Sequence, residues 1–474
     1  MEAVMNPTTV FPIPSMRRIH RIHFIGVGGS GMSGIAEVLA TLGYKVSGSD
    51  QKDSLVVQRL RARGVDVFIG HDADNVKGAD VVVVSTAISQ ENVEYAAAKE
   101  QGLPMVQRAA MLAELMRFRH GIAVAGTHGK TTTTSFIVSI FAEAGFDPTY
   151  VVGGVINQAE KSAQLGKSRY FVVEADESDA SFLHLQPMTT VVTNIDLDHM
   201  DTYDGDPQLL EDNFVTFVQN LPFYGLLVCC IDDARVQKCL PRFGRPFVTY
   251  GFSDTANVRC VEWTQDGLKS FVRLERDGLP DLSFTLNVPG KHNVLNAMAA
   301  ACVAHEEGVA DEDIVKALGL FQGVNRRFTT YQKQIEKTQF TLVDDYGHHP
   351  EEIDAVIQAA RLAWPERKIK MVFQPHRYSR TRDLYEDFVR VLSQVDEVIM
   401  LKEYSAGEAP IVKADAKSLC ASLRSHGHEP TYVRDFEELA KQVRFTLQEN
   451  DVVIFQGAGD IGRYTQQMLE QCDA

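Results

Sequence analysis

The chain has 474 residues, of which 45% are hydrophobic and 23% charged, with a net charge of -16. That is the composition of a globular protein of about three domains, and its acidic balance excludes broad binding to nucleic acid or to an anionic membrane face, both of which need basic surface. The seven cysteines form no C-x-x-C pair, so neither a disulfide framework nor a zinc site is expected, and a reducing, cytoplasmic setting fits. The N-terminal stretch lacks the apolar core of a signal peptide and no run of about 18 apolar residues occurs, so no membrane span is expected.

The first predicted elements are a strand in "RIHFIGVG" (21–28), a helix in "SGIAEVLATLGY" (33–44), a strand in "KVSGSD" (45–50) and a buried strand in "VVVVSTAI" (81–88). Strand and helix in alternation indicate a parallel sheet with crossover helices. "GVGGSG" (26–31) sits between the first strand and the first helix, and Asp50 ends the second strand. Glycines there let backbone approach a diphosphate, and the helix N-terminus offers unpaired N–H groups. The pattern points to a diphosphate more firmly than to a particular nucleotide. A dinucleotide-dependent oxidoreductase is therefore one reading of this loop.

A helix in "RAAMLAELMRFRHG" (108–121) leads to a second unit that opens with the strand "IAVAG" (122–126). "GTHGKTT" (126–132) follows, and a helix begins at "TTSFIVSIFAEAG" (133–145). The usual phosphate loop reads G-x-x-x-x-G-K-[ST]; here Gly129, Lys130 and Thr131 fill its end while Val124 stands where the opening glycine would. Strand, loop and helix N-terminus remain in order, so the backbone of Gly126, Thr127, His128, Gly129 and Thr132 can cradle phosphate, with Lys130 on the terminal phosphates and Thr131 on Mg²⁺. Buried strands at "YFVVEA" (170–175) and "TTVVTNI" (189–195) carry Glu174 at the tip of one and Asp198 and His199 just beyond the other. Strand ends at one edge converge on bound phosphates, which makes Thr131, Glu174 and His199 the expected metal set and Asp198 a weaker candidate.

Short alternating strands over 246–288 and a helix at 293–308 complete the central part. From about 330, strands in "FTLVDDY" (340–346), "IKMVFQP" (369–375), "DEVIML" (396–401) and "DVVIFQG" (451–457) alternate with helices, a second doubly wound α/β pattern.

Two nucleotide-type loops in successive domains fit an enzyme that holds a nucleotide-linked substrate with one and ATP with the other. At these residues the chain resembles the Mur ligases, ATP-dependent amide-forming enzymes of bacterial cell-wall precursor synthesis. The loop "GTHGKTT" is similar to the family's "GTNGKTT", and "PGKHNVLNAMAA" (289–300), "VNRRF" (324–328) and "VDDYGHHP" (343–350) resemble its other motifs in order. The resemblance implies three α/β domains: a Rossmann-like one at 1–120 for the UDP-linked substrate, a central P-loop nucleotide domain with a mixed sheet at 121–328 for ATP, and a doubly wound one at 329–474 for the amino acid. It implies Gly28, Gly29, Ser30, Gly31, Asp50 and Ser85 on the UDP moiety. It implies Asn293, Asn296, Arg327 and Asp345 beside the phosphate loop on ATP. "HFIGVGGSGMSGIAEVL" (23–39), "FQPHRYSRT" (373–381) and "YSAGE" (404–408) resemble the branch that joins L-alanine to UDP-N-acetylmuramate. Some relatives carry a carbamylated lysine after the metal histidine; no lysine occurs between Lys167 and Lys238.

The chemistry so implied is phosphorylation of the lactyl carboxylate by ATP, then attack of the amine on the acyl phosphate. Lys130, His199 and Arg377 are the catalytic candidates. His376, Arg377 and Arg380 offer guanidinium and imidazole donors for the alanine carboxylate, with Tyr346 and His348 lining that pocket. A ligase that joins a tripeptide to the same acceptor is the nearest alternative. Oligomeric state is left open by the sequence.

Overall fold

The computed structural model describes residues 15–29, 31–157 and 161–473. They form three sheets. The first has strands Asp66–Ile69, Lys45–Asp50, Arg21–Ile25, Val81–Val84 and Met105–Gln107 in that spatial order, all pairings parallel. Val81–Val84 is buried along its whole length, as expected of a parallel strand covered by helices on both faces. Strand order reverses between Arg21–Ile25 and Val81–Val84. That is the switch point where doubly wound sheets bind ligands, and the glycine loop and Ser85 follow these two strands.

The second sheet has ten strands. His120–Ala125 lies between Tyr170–Glu174 and Thr189–Val192, parallel to both, with Val124 opposite Glu174 and Ala125 opposite Val192. The phosphate loop, Glu174 and the segment after Val192 therefore leave one edge of the sheet together. Thr149–Ile156 and Lys161–Gln164 extend one side; Leu226–Cys230, Phe247–Gly251 and the hairpin strands Val258–Asp266, Lys269–Arg276 and Leu279–Leu286 extend the other. The antiparallel pairing of Thr149–Ile156 with Lys161–Gln164 makes the sheet mixed.

The third sheet runs Thr329–Ile335, Thr338–Asp345, Val452–Gln456, Ile369–Phe373, Glu397–Leu401, Thr431–Val433. Its first pair is antiparallel and the rest parallel.

The chain packs as two compact units. One holds residues up to Val261, Arg273–Phe284 and Leu295–Leu320; the other holds Glu262–Val272, Thr285–Val294 and residues from Phe321 onward. Within the first unit the first two sheets share one apolar core, running from Ile22, Phe24 and Ile35 to Val151, Phe171 and Phe214. Gly34 lets helix Met32–Thr41 close on this core, since a methyl there would stand 2.9 Å from Val151 Cγ1.

Candidate active site

In the first unit, helix Lys130–Glu143 starts at Gly129, whose φ of 83° lies in the left-handed region, and no side chain caps it. Its first N–H groups thus remain for a ligand, and its dipole favours an anion there. Side chains would obstruct this turn: a methyl on Gly126 would overlap Thr193 Oγ1, and one on Gly129 would overlap Asn296 Oδ1. Asn296 also accepts the Thr133 hydroxyl at 3.2 Å.

The segment after Thr189–Val192 straps the loop in place. Asn194 accepts the His128 N–H at 2.8 Å and donates to the His128 carbonyl at 3.0 Å. Thr193 donates to that same carbonyl at 2.6 Å. Thr127 Oγ1 accepts the Asp196 N–H at 2.8 Å, and the His128 ring lies 3.2 Å from Asp196 Oδ2.

Lys130 Nζ donates to the carbonyls of Gly126 and Thr127 at 2.6 and 3.1 Å and pairs with Glu177 Oε2 at 2.7 Å. Burial works against its charge, but Glu177, Asp176 and Glu174 outweigh burial and hold its pKa above the usual lysine value. Glu177 is buried, and that burial pushes its pKa up to about 7 although Lys130 pulls the other way. Tyr203, also buried, donates its hydroxyl to the Glu177 carbonyl.

Glu174 Oε1 accepts the Gly153 N–H at 2.7 Å. His199 has a φ of 54°, and Asp198 accepts its N–H at 2.8 Å while lying 3.5 Å from its ring Nε2. Asp198 thereby orients His199, a supporting place beside the expected metal set.

At the first glycine loop, Gly28 donates to Asp50 Oδ2 at 3.0 Å, and Gly31 (φ 78°) precedes helix Met32–Thr41 with no side-chain cap. Ser30 lies outside the described residues. Ser85 follows strand Val81–Val84, and its carbonyl accepts the Ile88 N–H at 3.1 Å. Beneath this edge sits a buried carboxylate, Glu94. It accepts Ser49 Oγ at 2.5 Å and Asn75 Nδ2 at 2.6 Å, and the rings of His23 and His71 each come within 3.5 Å.

The second unit brings four rings into a continuous row. Tyr346 meets His348 at 5.5 Å between centroids, His348 meets His376 at 5.3 Å, and His376 stacks on Tyr404 at 5.4 Å. The guanidinium groups of Arg326 and Arg327 each lie 5.3 Å from the Tyr346 ring centre. Arg380 is buried, with Nη1 3.4 Å from His376 Nδ1. Arg377 has a φ of 68°, and its N–H is fixed by the Tyr404 carbonyl at 2.8 Å.

Asp345 is turned inward: its oxygens accept Gly347 N–H, Gln456 Nε2 and Phe328 N–H at 2.7 to 2.8 Å. Burial raises its pKa against the pull of Arg327. Such a carboxylate shapes the 345–348 turn that carries Tyr346 and His348. Asn293 donates to the Pro289 carbonyl at 2.7 Å, and Arg327 lies 3.6 Å from Glu352.

Three family descriptions match the chain in order: "Mur ligase family, catalytic domain" over residues 21–120, "Mur ligase middle domain" over 124–304, and "Mur ligase, glutamate ligase domain" over 326–459. The structure is similar to that of the UDP-N-acetylmuramate-alanine ligase MurC from Thermotoga maritima, at 29% identity over 95% of this chain and 98% of that one, with a TM-score of 0.82. It is also similar to the UDP-N-acetylmuramate:L-alanyl-gamma-D-glutamyl-meso-diaminopimelate ligase of Neisseria meningitides, at 31% identity over 65% of this chain and all of that one, with a TM-score of 0.60. A murein peptide ligase from Psychrobacter arcticus shares the fold at 21% identity over 96% of this chain and 98% of that one, with a TM-score of 0.70.

The chain belongs to the Mur ligase family.

As a Mur ligase it is an ATP-dependent amide ligase of peptidoglycan synthesis. Of the residues expected from the sequence for ATP, the first unit gathers Gly126 to Thr132 with Asn296; Asn293, Arg327 and Asp345 belong to the second unit. Glu177, Thr193 and Asn194 were not expected from the sequence. Thr193 and Asn194 had a signal, because they follow a buried strand at the same sheet edge as the loop. Glu177 lies in the acidic run "EADESD", where spacing does not say which carboxylate turns toward the lysine.

Proposed function

We propose that this Mur ligase joins L-alanine to the lactyl carboxylate of UDP-N-acetylmuramate. The observation that carries the reading is the likeness, along nearly the whole of both chains, to a UDP-N-acetylmuramate-alanine ligase. We assign the UDP-linked substrate to 1–120, ATP to 121–328 and the amino acid to 329–474. No helix of the described residues is long and apolar enough to cross a membrane.

A carboxylate is a poor acylating agent, because its leaving group would be oxide. Transfer of the γ-phosphoryl group of ATP to the lactyl carboxylate gives an acyl phosphate and ADP. The alanine amine then attacks the acyl carbon, and the C–O bond to phosphate breaks as the amide forms. Two anions must meet in the first step, so Lys130 must leave Glu177 and turn its ammonium to the transferring phosphoryl group. Thr131 and Glu174 offer the hard oxygen donors that suit Mg²⁺, at the sheet edge that carries the loop; His199, oriented by Asp198, completes the set that would hold the ion. The ion would supply charge neutralisation.

In the second unit Arg377, with its backbone fixed by Tyr404, is our candidate for the bidentate clamp on the amino-acid carboxylate. Arg380, against His376, supports the ring row. Tyr346, His348 and His376 would limit the side-chain space. A pocket sized for a methyl group discriminates only about 10–200-fold against glycine. The likeness to the tripeptide-joining enzyme of Neisseria meningitides favours a second reading, in which the same acceptor takes a peptide. ADP release from ATP and UDP-N-acetylmuramate, measured with L-alanine, glycine, L-serine and L-alanyl-γ-D-glutamyl-meso-diaminopimelate in turn, separates the two. L-Alanine should be fastest; faster turnover with the tripeptide would establish the second reading. Arg377→Ala should raise the KM for L-alanine with a smaller change in kcat.

A further inference from the structure

The first sheet carries an open cleft at the edge opposite its glycine loop. The cleft measures about 650 Å³, and its lining includes Arg21, Lys45, Ser47, Asp66 and Phe68. Parallel pairing sets Arg21 opposite Lys45, His23 opposite Ser47, Ser47 opposite Asp66 and Ser49 opposite Phe68, so these side chains rise from one face of the sheet. Ile22, Phe24 and Val46 face the other way, into the apolar core. Parallel sheets are normally covered on both faces. Here helix Val93–Glu100 covers Ile25, Val82 and Val84, while Lys45, Asp66 and Phe68 stay exposed. The charge in the cleft is uneven. Lys77 is paired with Asp74 at 2.7 Å, and Arg61 with Asp53 at 3.0 Å. Asp80, beside the cleft, is taken up by the N–H groups of His20 and Arg21 at 2.7 and 2.8 Å. Among the described residues the Arg21 guanidinium and the Lys45 ammonium have no hydrogen-bond or ion-pair partner. The guanidinium lies along a wall left open by Gly78, where a methyl would stand 3.1 Å from Nη1. Ser47 Oγ, 2.9 Å from His23 Nδ1, and the Phe68 ring, 6.5 Å from the His23 ring, form the floor. In a chain of net charge -16, two adjacent cations without partners beside an exposed aromatic ring call for an anionic ligand.

We propose that this cleft binds a small phosphate monoester that carries a planar ring, at a site separate from both glycine loops. Arg21 and Lys45 stand at paired positions on strands about 4.8 Å apart. A phosphate between them meets the guanidinium through two parallel hydrogen bonds and the ammonium as a point charge. The ring of the ligand stacks on Phe68, an attraction that is tolerant of ring type. Ser47 and Asp66 leave polar groups for hydroxyls between ring and phosphate. The volume falls within the roughly 300–1,000 Å³ of small-molecule sites, which suits a ligand of mononucleotide size. Arg21 and Lys45 open strands whose far ends, Ile25 and Asp50, lead to the glycine loop. Five residues of strand place the two edges about 15 Å apart, so a ligand in the cleft leaves that loop free. The site depends on neither the acceptor nor the amino acid assigned above.

The test titrates the full chain with phenyl phosphate and with inorganic phosphate by calorimetry. Phenyl phosphate should bind more tightly than phosphate, and both should weaken as salt is raised, because the two cations are exposed. Arg21→Gln and Lys45→Gln should each weaken phenyl phosphate by about tenfold or more, and Arg21→Lys by less. Phe68→Ala should weaken phenyl phosphate about 5–150-fold and leave inorganic phosphate unchanged. Lys130→Ala, altered at the phosphate loop, should bind phenyl phosphate as the wild type does. Arg21→Gln and Lys45→Gln should keep the wild-type melting temperature and ligation rate, since neither side chain has a partner to lose or lies at a loop. Absence of phenyl phosphate binding by the wild type would overturn the proposal. So would binding that survives both Arg21→Gln and Lys45→Gln but is lost in Lys130→Ala, which would place the ligand at the phosphate loop. Equal affinity for the two probes, with no effect of Phe68→Ala, would overturn the role of the ring.

Discussion

Two carboxylates in the first unit show how neighbours decide what a side chain does. Glu177 and Glu94 are both buried, but one has its pKa raised to about 7 and the other lowered to about 2. Burial raises both; Glu94 is pulled down past it by hydrogen bonds from His23, Ser49 and Asn75. A folded pKa below the unfolded one stabilises the fold above the unfolded value, and that stability is lost as pH falls from about 4.5 toward 2. A shift of this size is worth on the order of 3 kcal/mol. Urea denaturation of the wild type and Glu94→Gln between pH 2 and 6 should converge at the acid end, separate as pH rises from about 2 to 4.5, and keep a constant gap above that. Parallel curves would show that Glu94 has no special partners. Lys130→Ala should lose at least about 10²–10³-fold in ligation rate, since the missing charge acts mainly in phosphoryl transfer. Its affinity for UDP-N-acetylmuramate without nucleotide should stay close to that of the wild type. Near-normal turnover would remove the phosphate-loop assignment.

The phosphate loop works as an element because its geometry excludes Cβ atoms at two places. Gly126 has a φ of 134° and Gly129 one of 83°, conformations that L-residues adopt only under strain. Thr193 and Asn296 already occupy the space that a methyl would take. Gly129→Ala should destabilise the first unit by more than about 1 kcal/mol and weaken binding of an ATP analogue. Denaturant titration and calorimetry of the same variant measure the two effects. Unchanged analogue affinity would mean that the helix start at Lys130 does not bind phosphate. The uncapped start of helix Met32–Thr41 is the counterpart in the first sheet. Both loops follow strands that sit between two parallel neighbours at a sheet's C-terminal edge, where unpaired N–H groups of the following helix are held rigidly.

At the scale of the whole molecule, the sheets that carry the two loops are joined by one core, through Gly34 against Val151 and through the Arg108–Asp176 and Thr86–Asp179 bonds. Ligands at either loop should therefore stabilise the same unfolding transition. At a concentration of about 100 times the dissociation constant, each should add about 2.7 kcal/mol to it. Scanning calorimetry with UDP-N-acetylmuramate or with an ATP analogue should move one transition with both ligands. Two ligands moving two different transitions would show that the sheets unfold independently.

The linear order of residues was enough to read both glycine loops, the strand–loop–helix setting of Lys130, the parallel α/β pattern and the sequence of family motifs. These are local features: glycines where φ is positive, buried valine runs, and a lysine at a helix start need only neighbours in the chain. Strands such as Thr149–Ile156 and Lys161–Gln164 were not legible, because glycine and polar residues hide their pattern; the first is a strand through its pairing with Tyr170–Glu174 and the second through its pairing with the first. In the same way, tertiary structure alone chose Glu177 among four acids as the partner of Lys130 and turned Asp345 inward. It also brought Arg108 beside Gly31 and Asp176, residues 77 and 68 positions away in the chain. Such pairings depend on where crossover connections return the backbone and on which charges burial leaves without water, and neither is written in the spacing of any one segment.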